Sequence, residues 1–176
     1  MDLPTILAAF GAAVALYHAL TFVNVLFKTL LASGPNPKKY GEWAVVTGST
    51  DGVGKAIAFE LARKGCSVML VSRSEQKLKD VRGEITAKYP SVGVDYATVD
   101  FANLTPAALG SLKTKLAQLD VGLLINNVGV SYDFCQWFHE LSDTEVANMI
   151  KINVEAVTWM TRLVLPAMLA KKKGAV

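Results

Sequence analysis

A glycine-rich turn is the part of the chain whose residue types and spacing best suit chemistry. It reads Thr-Gly-Ser-Thr-Asp-Gly-Val-Gly from Thr47 to Gly54, between an apolar run at 43–46 and an amphipathic stretch at 53–64. That context predicts a strand, a tight turn and a helix. Glycines leave backbone N–H groups and the positive helix end free to approach a pyrophosphate. The turn therefore predicts a dinucleotide cradle formed by Gly48, Ser49, Thr50, Asp51, Gly52, Val53 and Gly54. Its glycine spacing is wider than G-x-G-x-x-G, and a chance glycine-rich turn is the alternative.

The residues at the end of the second predicted strand bear on which dinucleotide would bind. An NAD site places Asp or Glu there to bond the ribose 2′-hydroxyl, whereas this chain has Ser72 and Arg73. A guanidinium can grip a 2′-phosphate with two parallel charged hydrogen bonds. Ser72 and Arg73 therefore favour NADP(H). The alternative is that Arg73 is a solvated charge at a strand end.

Two more candidates follow the third and fourth predicted strands. Asp100 could accept the adenine amino group, or it could cap a turn. The sequence Asn126-Asn127-Val128-Gly129 follows strand four at the sheet edge where ligands bind open α/β folds. We expect one amide to brace neighbouring strands and the other to face the adenosine ribose, and we assign Asn127 and Gly129 to the cofactor. A plain asparagine-rich turn is the alternative.

Asn153 is a candidate on the last predicted helix. It lies four residues after Met149 and four before Val157, on the apolar face. Because a buried amide needs hydrogen-bond partners, we expect Asn153 to be buried, to bond a main-chain carbonyl and to hold a water for a proton relay. A core asparagine with satisfied bonds is the alternative.

Strands and helices alternate along the chain. Strands are predicted at 43–46, 67–72, 92–99 and 121–125, and helices at 53–64, 75–88 and 106–119. This order predicts an α/β fold with a doubly wound, Rossmann-like parallel sheet. A capping pattern at 142–145 opens one last helix toward Pro166, and residues 174–176 look like the start of a fifth strand. Since interior strands rarely end a domain, we expect the chain to be an incomplete piece of a larger enzyme.

The first residues predict a membrane anchor. No charged residue occurs from Leu3 to Phe27, which is long enough to span a bilayer. Lys28, Lys38 and Lys39 follow the span, so the positive-inside rule places the remainder in the cytosol. The predicted domains are an anchor and linker at 1–34 and a cofactor-binding domain at 35–176. A signal peptide cut near residues 32–34 is the alternative, but the basic n-region is missing.

Composition makes several other functions poor candidates. The net charge of +3 owes much to the lysines at 171–173, and no basic stripe interleaved with aromatics is present. Nucleic acid is therefore not an expected partner. Cys66 and Cys135 have no C-x-x-C companion or histidines at ligand spacing, so no metal site is predicted and a reduced compartment is expected.

The turn at 47–54, Asp100, the motif at 126–129 and Asn153 together resemble the short-chain dehydrogenase/reductase family. The longer strings at 41–54 and 126–132, behind an anchor, resemble its very-long-chain 3-oxoacyl-CoA reductase group, which includes membrane-bound 17-beta-hydroxysteroid dehydrogenases. The resemblance implies an endoplasmic reticulum enzyme of fatty-acid elongation that reduces 3-oxoacyl-CoA with NADPH. Its implied partners are acyl-CoA, the membrane and other elongation enzymes.

The resemblance also implies how catalysis would work. The family uses four catalytic residues: a serine after strand five, a tyrosine four residues before a lysine, and a fourth residue on a helix. Asn153 matches this fourth residue. The tyrosine protonates the carbonyl oxygen and the lysine lowers the pKa of that tyrosine. No tyrosine here has a lysine four positions on. We therefore expect these residues to lie beyond Val176 and the chain alone to be inactive. A 17-beta-hydroxysteroid dehydrogenase, a tethered nucleotide-binding module without chemistry and a bare structural fragment remain alternatives.

Overall fold

The structure, a computed structural model, describes residues 2–30 and 36–176, which form two compact units. The first unit is a single helix, α1, at Leu3–Leu30, with exposed side chains throughout. Its 28 residues, with a mean hydropathy of 2.0 over an 18-residue window, make it long and apolar enough to cross a membrane, by length and composition. The predicted domain boundary at 34–35 and the alternative cleavage region at 32–34 lie outside the described residues.

The second unit contains a parallel sheet of four strands. These are β1 at Trp43–Thr47, β2 at Ser67–Ser72, β3 at Val94–Thr98 and β4 at Val121–Ile125. Their order across the sheet is β3-β2-β1-β4, with parallel pairing throughout. From β1 the chain adds β2 and β3 on one side, and it then crosses back to place β4 on the other side of β1. The point of reversal in the sheet therefore lies between β1 and β4, which confirms the predicted doubly wound, Rossmann-like fold. In such sheets the ligand crevice lies at the carboxyl ends of the strands flanking this reversal.

The helices connect the strands and cover both faces of the sheet. They are α2 at Gly52–Arg63, α3 at Glu75–Lys88, α4 at Pro106–Ala117, α5 at Asp143–Ile150 and α6 at Ala156–Ala170. Short 3-10 turns occupy Pro37–Lys39, Phe101–Asn103 and Phe138–Glu140. Predicted ends differ by two residues in places: β3 starts at Val94, not Val92, and α4 ends at Ala117, not Leu119. Ends are weakly encoded because terminal turns fray.

The core has two layers because alternate strand residues point to opposite faces of the sheet. Within β1, Val45 faces one layer while Ala44 and Val46 face the other. The first layer packs the sheet against α4 and α6 through buried residues such as Leu112, Leu116, Met160 and Val164. The second packs it against α2 and α3 through Leu61, Leu78, Val81 and Ile85. A sheet clamped on both faces fixes the strand ends where a ligand would bind.

The last predicted helix runs without a break from Asp143 to Ala170, but it is not α-helical throughout. A π-helical segment at Lys151–Glu155 separates α5 from α6, and α6 continues through Pro166 to Ala170. A π turn holds one more residue than an α turn, so it shifts which side chains face the sheet. The buried residues after the shift are Ile152, Ala156, Met160, Val164 and Met168. The predicted apolar face fails accordingly at Ile150 and Val157, which are 52% and 36% exposed.

The expected start of a fifth strand is present as a single parallel bridge. Ala175 pairs with Leu123 on the free side of β4. The N–H of Leu124 donates to the Ala175 carbonyl at 3.0 Å, and the N–H of Ala175 donates to the Gly122 carbonyl at 3.0 Å. The chain after α6 therefore adds to the sheet beside β4.

Candidate cofactor site

The glycine turn joins β1 to α2 at the carboxyl edge of the sheet. Gly48 and Gly52 adopt φ values of +62° and +53°, the left-handed region that favours glycine. A Cβ on Gly54 would lie 2.3 Å from the Gly48 carbonyl oxygen, so only glycine fits there. A Cβ on Gly52 would meet nothing within 4 Å. The turn is thus tight against the protein at Gly54 and open in front of Gly52.

The start of α2 offers hydrogen-bond donors beside this open space. Asp51 caps the helix by accepting from the Gly52 N–H at 2.7 Å. The N–H groups of Val53 and Gly54, which come next in the first turn, have no carbonyl partner within the helix, and the helix dipole adds partial positive charge there. Val53, in the same turn, is 68% exposed. This arrangement can bind an anionic group such as a pyrophosphate.

Two buried polar atoms at this edge lack a partner within the described residues: Ser49 Oγ and Asn126 Oδ1. An unpartnered buried polar atom costs about 1 to 3 kcal/mol. One belongs to the glycine turn and the other to the end of β4, so both flank the crevice at the reversal point. Concentration of such atoms at one place is typical of a functional site rather than of a packed core.

Asn127 and Thr47 lock the glycine turn to the end of β4. The Asn127 Nδ2 donates to the Thr47 carbonyl at 3.1 Å and to the Gly48 carbonyl at 3.2 Å. The Thr47 Oγ1 accepts from the N–H groups of Asn127 and Val128 at 2.9 and 3.0 Å, and donates to the Ile125 carbonyl at 3.3 Å. Asn127 is therefore the bracing amide of the pair. Thr47 was not among the predicted site residues, although its position directly before the first glycine was a usable signal.

Asn153 forms a reciprocal pair of hydrogen bonds with Val130, the residue that follows Gly129. Its Oδ1 accepts from the Val130 N–H at 2.8 Å, and its Nδ2 donates to the Val130 carbonyl at 2.8 Å. The amide does bond a main-chain carbonyl as predicted, but its predicted burial was wrong because Asn153 is exposed. The π turn at 151–155 changes the helix phase and presents Asn153 to this loop. A Cβ on Gly129 would come within 3.1 Å of Asn153 Oδ1.

Asp100 caps a turn. Its Oδ1 accepts from the Ala102 N–H at 3.0 Å, and its Oδ2 accepts from Asn103 Nδ2 at 2.8 Å. The carboxylate is exposed. These hydrogen bonds show that Asp100 caps the 3-10 turn after β3, and its contact with the adenine amino group stays a prediction.

Ser72 and Arg73 lie at the end of β2 beside the glycine turn. The Ser72 Oγ is 3.0 Å from the Thr50 Oγ1, which ties the strand end to the turn. Arg73 is exposed, and its guanidinium forms no ion pair with any residue in 2–30 or 36–176. The guanidinium therefore keeps its full capacity for an anionic ligand group.

Comparison with known proteins identifies two curated relatives of this chain. A very-long-chain 3-oxoacyl-CoA reductase of Caenorhabditis elegans is 45% identical over 170 residues, covering 94% of this chain and 54% of the relative. A putative steroid dehydrogenase 2 of the same organism is 38% identical, covering 100% of this chain and 58% of the relative. The chain thus spans about half the length of these curated relatives.

A solved structure has the same fold. The short-chain dehydrogenase from Sphingobium yanoikuyae in complex with NADPH superposes with a TM-score of 0.67 at 25% identity, over 75% of this chain and 50% of that one. The sequence pattern of the family described as short chain dehydrogenase matches residues 42–176. That range contains the sheet, the glycine turn and the Asn127 and Asn153 contacts. The chain therefore belongs to the short-chain dehydrogenase family.

Proposed function

We propose that this chain is the NADP(H)-binding part of an oxidoreductase that reduces very-long-chain 3-oxoacyl-CoA to 3-hydroxyacyl-CoA. The observation that carries the cofactor half of the proposal is the glycine turn. It is held to β4 by the Asn127 amide, at 3.1 and 3.2 Å from two carbonyls, and is open in front of Gly52. A rigid, open turn at the reversal point of a doubly wound sheet suits a dinucleotide.

Two parts of this chain would each bind one anionic group of the cofactor. The first-turn N–H groups of α2 would bind the pyrophosphate, because the helix dipole and unpartnered donors both favour negative charge. Arg73 would bind the 2′-phosphate, because its guanidinium is exposed and without a carboxylate partner in the described residues. When bound, NADPH supplies the hydride. This assignment makes Arg73 the residue that selects NADPH over NADH.

Asn153 would contribute to proton transfer through water. Its two bonds to Val130 use one lone pair of Oδ1 and one hydrogen of Nδ2. An amide has a second lone pair and a second hydrogen, so a water can bond to each atom. We propose that Asn153 holds such a water while fixing the backbone beside Gly129. The tyrosine and lysine that the family resemblance implies are not among the 176 residues as Tyr-x-x-x-Lys.

The relative named a very-long-chain 3-oxoacyl-CoA reductase, at 45% identity over 94% of this chain, supports the acyl-CoA substrate. The apolar α1 helix, with lysines after it and none before it, supports a single-pass anchor with the second unit in the cytosol. Fatty-acid elongation at the endoplasmic reticulum membrane, alongside other elongation enzymes, is the setting that we propose.

An Arg73→Ala substitution tests the cofactor assignment. Loss of a charge-assisted contact worth about 1.5 to 3 kcal/mol should weaken NADPH binding by ten- to a hundredfold and leave NADH binding unchanged. A Lys77→Ala variant is the matched control, because it removes an exposed positive charge from α3. Titrations of NADPH and NADH by fluorescence give the four affinities. An Arg73→Ala chain that keeps the wild-type preference for NADPH would show that another group reads the 2′-phosphate.

A steroid dehydrogenase is the second candidate, because the putative steroid dehydrogenase 2 relative covers 100% of this chain. The two functions differ in substrate and share the cofactor. Sequencing the transcript past the codon for Val176 would establish whether a serine strand and Tyr-x-x-x-Lys follow. The product of that transcript, assayed with a 3-oxoacyl-CoA and a 17-oxosteroid, would separate the candidates by their relative kcat/KM.

A further inference from the structure

Lysines from two segments meet at the amino ends of the strands, at the opposite edge of the sheet from the glycine turn. Lys38 and Lys39 precede β1, and Lys171, Lys172 and Lys173 follow α6. All except Lys172 line one concavity of about 500 Å³, together with Tyr40, Gly41, Glu42 and Asp120. Lys172 lines an adjoining concavity that also contains Lys39, Tyr40 and Lys173. We call these five lysines the lysine face.

Asp120 organises the lysine face. Its Oδ1 accepts from the Lys171 ammonium, and its Oδ2 accepts from the Glu42 N–H at 3.0 Å. The Lys171 Nζ also donates to the Val121 carbonyl at 2.9 Å. The Lys171 ammonium, followed by the Glu42 N–H, lowers the pKa of Asp120, so the carboxylate stays charged. This joins the segment after α6 to the segment before β1.

The lysine face keeps an excess of positive charge after this pairing. Lys38, Lys39, Lys172 and Lys173 are exposed and form no ion pair with the described residues. Glu42 and Asp120 are the carboxylates that line the concavity, and Asp120 is already bonded to Lys171. The backbone at residues 171–173 is held to the end of α6, since the N–H groups of Lys172 and Lys173 donate to α6 carbonyls at 3.0 and 3.1 Å. A preformed basic surface suits an anionic partner.

We propose that the lysine face docks on anionic phospholipid headgroups of the membrane that α1 anchors. Lys38 and Lys39 come shortly after α1 in the sequence, and Lys28 lies in the last turn of α1. Basic residues that directly follow a membrane span are attracted to anionic lipid. The fold adds the lysines at 171–173 to this juxtamembrane pair, so one face carries both sets. The inference is independent of the cofactor assignment, which concerns the opposite edge of the sheet.

Lysine labelling of the whole chain in vesicles tests this docking. The chain is reconstituted into phosphatidylcholine vesicles with or without phosphatidylserine, and acetylation rates are measured for each lysine by mass spectrometry. Each lysine that lies near an anionic lipid surface strengthens binding to that surface by about fivefold. Lys172 and Lys173 should therefore label at least about fivefold more slowly in the anionic vesicles, and high salt should abolish the difference. Lys77 and Lys113, exposed on α3 and α4, should label equally in both.

A charge-reversal pair provides the matched control. Substitutions K38E and K39E together should return labelling of Lys172 and Lys173 to the rate in neutral vesicles, whereas K77E and K113E together should leave the protection intact. Equal labelling of Lys172 and Lys173 in neutral and anionic vesicles would overturn the proposal. So would protection by inorganic phosphate in neutral vesicles, because the face would then be a site for a soluble anion. The salt dependence of the wild-type chain decides the matter if a variant does not fold.

Discussion

A methyl group at Gly54 is the smallest change that should disable the cofactor cradle. In Gly54→Ala the new Cβ would lie 2.3 Å from the Gly48 carbonyl oxygen and 2.4 Å from Asn127 Nδ2. Non-bonded heavy atoms rest at about 3.5 Å, so the turn and the β4 loop must part by about 1 Å. One of the two atoms is backbone in a left-handed turn, so it cannot rotate away.

The size of the effect follows from what this movement breaks. Overpacking of this kind costs about 1 to 3 kcal/mol. The bond from Asn127 Nδ2 to the Gly48 carbonyl, 3.2 Å long, is lost with it and adds roughly 1 kcal/mol. The free energy of unfolding should therefore fall by about 2 to 4 kcal/mol. NADPH affinity should fall at least about tenfold, because the turn no longer presents its N–H groups in register.

Urea unfolding followed by tryptophan fluorescence measures the stability change. All three tryptophans, at 43, 137 and 159, lie in the second unit, so the signal reports that unit and not α1. Gly83→Ala is the matched control, because Gly83 is exposed in α3 with open space around it. That variant should gain up to about 1 kcal/mol and bind NADPH normally. A Gly54→Ala chain with unchanged stability and NADPH affinity would refute the account of the turn.

Two further predictions concern pH and turnover. The pKa of Asp120 is lowered mainly by the Lys171 ammonium, so its stabilising contribution is present above the ordinary aspartate pKa of about 3.9 and is lost as pH falls through the lower folded value. Asp120→Asn should thus be less stable at pH 7 and show a flatter loss of stability between pH 5 and 2, in urea unfolding at several pH values; parallel pH profiles would contradict this. Because no Tyr-x-x-x-Lys occurs in its 176 residues, the chain should bind NADPH without reducing a 3-oxoacyl-CoA, and measurable turnover by NADPH absorbance would contradict that.

The elements of the fold were predictable because their periodicities are strong. Short apolar strands separated by amphipathic helices, with a glycine turn after the first strand, predicted the parallel sheet. The N-terminal caps were equally readable: the Ser142 and Glu145 capping box is formed, with the Ser142 N–H bonded to Glu145 at 2.8 Å. Both features depend on residues close together in the chain, so a single sequence is sufficient to predict them.

The π turn was not predictable by a 3.6-residue periodicity. An extra residue at 151–155 shifts every later position, and after the shift the buried side chains recur every four residues, from Ile152 to Met168. The side-chain roles of the two adjacent asparagines were also open, because pairing across 80 residues depends on how β1 and β4 align. In the structure Asn127 forms the hydrogen bonds that hold the glycine turn to β4, whereas Asn126 Oδ1 has no partner within the described residues.

Amide hydrogen exchange with and without NADPH tests the central claim most directly. The account predicts that saturating NADPH slows exchange at the backbone amides from Gly48 to Lys55 and around Arg73. Amides on the lysine face should be unchanged, since they lie at the opposite edge of the sheet. Protection confined to other segments, or no protection at any NADPH concentration, would contradict the assignment of the glycine turn as the cofactor cradle.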